Sequence, residues 1–100
     1  MVVTKRRKPS PDNYLECLAE KSRAMLAHDH HERALSEAMG VPTARLHEAM
    51  DRARSGVMDV KLVTKMGAFL KAERELDEAL SLYEQALQIH ADKAYKELDE

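Results

Sequence analysis

Apolar residues along this chain recur at intervals of three and four, the period that lines up side chains along one side of an α-helix. Leu15, Leu18, Met25 and Leu26 follow it, so a first helix is predicted from Ser10 or Asp12 with these four on its inner face. Leu35 and Met39 share a face of a second helix, which starts at Glu32 after the polar run His28-Asp29-His30-His31. There Asp29 is a good N-cap, and Glu32 three positions on completes a capping box. A third helix, from Thr43 to about Arg54, turns Leu46, Ala49 and Met50 inward. Asp59 caps a fourth, where Leu62, Val63, Met66, Phe69 and Leu70 close the core and Met58 packs on Val63 as a hydrophobic staple. From Ala72 to about Tyr95 a long amphipathic helix carries Leu76, Leu80, Tyr83, Leu87, His90 and Ala94 as a heptad seam. Ala79, Leu82, Ala86 and Ile89 form a second stripe beside it. No segment alternates with period two, so strands are not expected. The fold class predicted is all-α: a compact four- to five-helix domain with a long C-terminal amphipathic helix.

The sharpest break is Met39-Gly40-Val41-Pro42. Gly40 enters the left-handed backbone region without a Cβ clash, and Pro42 cannot continue a helix begun upstream. Ser36 is small where the two flanking helices cross. Gly67, inside an otherwise helical run, predicts close contact with another helix.

The stretch Glu32 to Asp51, ERALSEAMGVPTARLHEAMD, carries a resemblance. Its apolar-small pair, the Met-Gly-Val turn and then Leu46 and Ala49 are similar in pattern to the helix-turn-helix of the lambda-repressor-like (XRE/Cro-type) DNA-binding family. The likeness covers roughly Tyr14 to Leu70. It implies that the helix from Thr43 enters a major groove, with Thr43, Ala44, His47 and Glu48 facing base edges and Arg45, Arg52 and Arg54 on phosphates. Two carboxylates on that face, Glu48 and Asp51, repel phosphate. Val63 to Ala91 looks like a single tetratricopeptide unit, with Met66-Gly67, Leu70, Ala79, Tyr83 and Ala86-Leu87 at that motif's positions, but with Ala91 where proline is usual and Arg74 at the turn.

Charge sharpens this picture. The net charge is −2, but its distribution is uneven. Residues 1–40 carry seven Lys and Arg against six Asp and Glu, residues 41–71 six against three, and residues 72–100 three against nine. A basic middle and an acidic tail suit a two-part molecule. The organisation expected is a flexible basic arm over 1–10, a helix-turn-helix domain over 11–71 and a self-association helix over 72–100. In the arm, Lys5, Arg6, Arg7 and Lys8 are either a solvated start or a DNA-contacting extension. Dimerisation is assigned to Leu76, Leu80, Tyr83 and Leu87, with both α-helical stripes folding back on the chain as the alternative.

The remaining chemistry is sparse. Three histidines and Asp29 in the run 28–31 could ligate a transition metal, but a polar turn between two helices explains them better, so neither metal nor cofactor is expected. Cys17 alone excludes an internal disulfide and suits a reducing compartment; it reads as a small core residue. There is no apolar run long enough to span a bilayer, no secretory signal is visible, and a cytoplasmic location is expected. No phosphate loop or nucleophile motif suggests an enzyme. The functional expectation is a sequence-specific, dimeric DNA-binding transcriptional regulator of repressor or antitoxin type, with double-stranded DNA and a second copy as partners and the C-terminal helix open to a protein partner. The alternative is a small helical adaptor or secretion-type chaperone that binds a partner helix.

Overall fold

The computed structural model describes residues 8–98. They form α1 (Tyr14–Met39), a 3-10 turn (Thr43–Arg45), α2 (Leu46–Arg54) and α3 (Val60–Leu98), with no strand among the described residues. The all-α class therefore holds, but three α-helices stand where four to five were expected. Two anticipated breaks are absent. α1 passes straight through His28-Asp29-His30-His31. That run has neither Gly nor Pro, and Asp and His each lower helix propensity by only about 0.5 kcal/mol, which Ala24, Ala27, Ala34 and Leu35 around it offset. The capping box at Asp29 does not form. The cap of α1 lies instead at Asn13, whose side-chain oxygen accepts from the Glu16 N–H at 3.1 Å. α3 likewise runs unbroken across residues 71 and 72 and through Arg74, so the stretch resembling a tetratricopeptide unit is one helix and not a helical pair.

α1 and α3 lie antiparallel. The Tyr14 and Tyr83 hydroxyls are 3.3 Å apart, the Tyr14 ring stacks on His90, the Lys21 ammonium sits 4.0 Å above the Tyr83 ring, and His28 meets Phe69. Positions advancing along α1 thus meet positions receding along α3. The seam is built from small side chains: Cys17 and Ala24 on α1, and Ala72, Ala79 and Ala86 on α3, are all buried. They recur every seven residues on each helix, which keeps them on one line, and their small size permits the two backbones to pack closely.

This seam corrects the inner face expected for α1. Leu15 and Leu26 are 73% and 72% exposed, and Met25 is also exposed. α1 carries two stripes of similar period, and the one with small residues faces the partner helix because the larger leucines would hold the helices apart. Gly67 needs a second correction. It is exposed, with nothing within 4 Å of where a Cβ would stand, so it marks no close approach.

A compact core exists only at one end of the hairpin. Leu35 from α1, Leu46 and Met50 from α2, and Met66 and Phe69 from α3 are buried together, bordered by Met39, Val41, Met58, Leu62 and Leu70. Gly40, at φ 65°, turns the chain from α1 toward α2. Its neighbours close the turn: the Val41 N–H donates to the Ser36 carbonyl at 3.1 Å, and the Ser36 hydroxyl donates to the Val41 carbonyl. Asp59 caps α3 by accepting from the Lys61 N–H at 3.1 Å. Met58 packs into the core instead of stapling to Val63, which is exposed.

The molecule is an elongated hairpin with a head. Its radius of gyration is 18.1 Å and its longest extent 63 Å, against about 13 Å expected for the radius of a compact chain of this length. The compact shape anticipated from sequence is not found. Two helices of 26 and 39 residues are long rods at 1.5 Å per residue, and too little chain remains to wrap them.

Candidate nucleic-acid interface

The head presents α2 at the end of the hairpin. Leu46, Ala49 and Met50 are buried, as the spacing predicts, and this turns the opposite side of the helix to solvent. Thr43, Ala44 and Arg45 on the 3-10 turn, and His47, Glu48, Asp51, Arg52 and Arg54 on α2, are all exposed. The residues assigned from sequence to DNA contact on this turn and helix are each exposed, but His47 faces α3 and Arg52 lies about 140° from it around α2 at 100° per residue.

Their electrostatic states differ. Among the described residues, Arg45, Arg52, Lys61 and Lys65 form no ion pair, so their charge is uncompensated locally. Arg54 pairs with Asp51 at 3.3 Å, a solvent-exposed contact worth little in stability. That pair also offsets one of the two carboxylates that weigh against a phosphate surface. Glu48 stays exposed at the start of α2, where the partial positive charge of the helix N-terminus favours it.

His47 is tied down. Its Nε2 lies 2.9 Å from a Glu73 carboxylate oxygen, and its ring meets Phe69 edge-on. This bond joins α2 to α3 at the solvent-exposed edge of the face that Leu46, Ala49 and Met50 bury. Sequence reasoning missed it, because the two residues are 26 positions apart and no local pattern relates them.

The arm divides. Lys5, Arg6 and Arg7 lie outside the described residues. Lys8 pairs with Glu78 at 3.0 Å, nine residues and so about 14 Å along α3 from Phe69 in the head. Beside it the Arg23 guanidinium is held by Glu20, which raises the Arg23 pKa further above its ordinary value. Lys8 and Arg23 on the stalk are thus each paired with an acid, as Arg54 is on α2, whereas Arg45 and Arg52 are not.

The residues assigned to self-association lie along one flank of the stalk. Leu76, Leu80 and Tyr83 are half-buried and Leu87 is 44% exposed. Tyr83 is engaged within the chain by Tyr14 and Lys21. Because Lys21 reaches over Tyr83, the flank of α1 that carries Leu18 and Met25, three before and four after it, continues the flank of α3 that carries Leu80 and Leu87. Apolar side chains thus flank the Lys21–Tyr83 contact on both helices. Burial pushes the Cys17 thiol pKa up, with Glu16 adding to the shift, and the thiol donates to the Ser10 carbonyl. It is a structural group in the seam.

No protein-family model, curated protein or solved structure matches this chain. The helical head by itself identifies no helix-turn-helix family. No helix among the described residues is long and apolar enough to cross a membrane.

Proposed function

We propose that the chain is a sequence-specific DNA-binding regulator of the cytoplasm. The 3-10 turn and α2 form its reading element, and the stalk joins two copies. The observation that carries this reading is the outward side of the 3-10 turn and α2, where Thr43, Ala44, Arg45 and Arg52 stand exposed and both arginines lack any acidic partner among the described residues. Unpaired cations beside short polar and methyl-bearing side chains suit a duplex: the former neutralise phosphate, the latter reach base edges. The end of α1, the glycine turn and α2 supply the two crossed helices of such a motif, and Phe69 and Met66 of α3 support them from beneath.

Self-association is supported by the shape. The chain exposes 7869 Å², against about 5,800 Å² for a compact protein of its mass. A standard interface hides about 800 Å² on each partner, and the apolar flank formed by Leu18, Met25, Leu80 and Leu87 is a surface of the right kind to supply it. A two-fold pairing of stalks would hold two heads at a fixed separation and imply an inverted-repeat operator. The same flank would serve an adaptor that receives a partner's helix, and on that reading the parent chain would be monomeric.

Gel-shift titration against genomic fragments tests the proposal. A fragment-selective complex is expected, weakened by Arg45→Ala. Equal retardation of every fragment, or none at low salt, would overturn the regulator in favour of the adaptor.

A further inference from the structure

The turn explanation for His28, Asp29 and Glu32 fails, because α1 is helical through all three. What remains is a donor cluster in mid-helix whose carboxylates take no part in a cap. One imidazole nitrogen and one carboxylate oxygen from each acid lie within 4.8 Å of one another. His28 and Glu32 are half-buried and Asp29 is exposed.

Two further observations point toward a cation. Among the described residues, none of the three side chains makes a hydrogen bond or an ion pair, so the two carboxylates sit side by side with no direct cationic partner. The His28 ring is also held in place: its centroid is 5.4 Å from that of Phe69, a fully buried side chain of the head. An imidazole anchored on one edge, with an acid one turn further along the helix, is a partly preorganised pair of ligands.

We propose that His28, Asp29 and Glu32 bind one divalent transition-metal ion, of the zinc or cobalt class, through one nitrogen and two oxygens, with solvent completing the shell. The donor set suits such an ion better than calcium, which prefers oxygen donors alone. Metal–ligand distances of about 2.0–2.2 Å place tetrahedral donors about 3.4 Å apart. Small side-chain rotations bring donors within 4.8 Å to that spacing without moving the helix. The ion would sit on α1 against the head, bracing the helix where the polar run is weakest in propensity.

Zinc chloride titrated calorimetrically into the full-length chain tests this site, and cobalt absorption reports the donors. One ion per chain is expected. His28→Ala and Glu32→Gln should each weaken binding about tenfold or more, while His30→Ala should leave it unchanged. Helix content followed by circular dichroism keeps a folding defect apart from a lost ligand, and Glu32→Gln preserves helix propensity. Absence of saturable binding would overturn the proposal. So would binding that survives both substitutions, or that is lost with His30→Ala, which would assign the ion to the adjacent His30–His31 pair. None of these outcomes depends on DNA binding.

Discussion

Single side chains decide more in this molecule than their number suggests, because so few are buried. Phe69 is fully buried at the junction of all three helices. Phe69→Ala is expected to destabilise the chain by about 3–5 kcal/mol, read as a lowered urea midpoint. Gly40 and Gly67 predict opposite outcomes for the same change. Gly40 at φ 65° would force an alanine into the left-handed region, so Gly40→Ala should cost about 1–2 kcal/mol. Gly67 is exposed, in a helix and free of neighbours, so Gly67→Ala should stabilise by up to about 1 kcal/mol. Paired urea titrations check both signs. Cys17 adds a pH dependence. Its thiol pKa is raised by burial, so the unfolded thiol ionises first. The stabilisation is complete below the unfolded value of about 8.5 and fades as pH climbs through the folded one. Relative to Cys17→Ala, the parent should lose stability as pH rises above that range.

At the scale of elements, what could be read from sequence tracked how local the cause was. The Gly40 turn, the buried Leu46, Ala49 and Met50, and the Asp59 cap all follow from residues within a few positions of one another, and all are found. The choice of inner face on α1 is not local. Leu15 and Leu26 satisfy a helical period as well as Cys17 and Ala24 do, and only the alanine line of α3 selects between them. The break at His28 was misread for a related reason: capping residues permit a helix start, but nothing there compels a stop. In the candidate interface, the exposed positions of α2 follow from its periodicity, whereas the His47–Glu73 link joins residues far apart in the chain. The seam itself makes a prediction. Ala79→Leu inserts three heavy atoms between closely packed helices and should destabilise by about 1–3 kcal/mol, whereas Ala→Leu at exposed Ala44 should not; thermal unfolding of the two variants separates seam from surface.

The whole molecule has an asymmetry of charge that its shape turns into a separation in space. The unpaired cations of the head lie at one end, and the acids of α3 line a stalk that extends toward the other. A rod with so little core of its own is expected to bury more by pairing. Sedimentation should report a dimer, and Leu18→Glu with Leu87→Glu should yield monomers; a monomeric parent would remove the paired arrangement. The reading surface is tested most directly by fluorescence anisotropy of a selected duplex, titrated with the chain over a series of salt concentrations. Affinity is expected to fall steeply and linearly on logarithmic axes, with a slope reduced by about one for each of Arg45→Ala and Arg52→Ala. A salt-independent affinity, or slopes identical to the parent in both variants, would contradict the proposed reading surface.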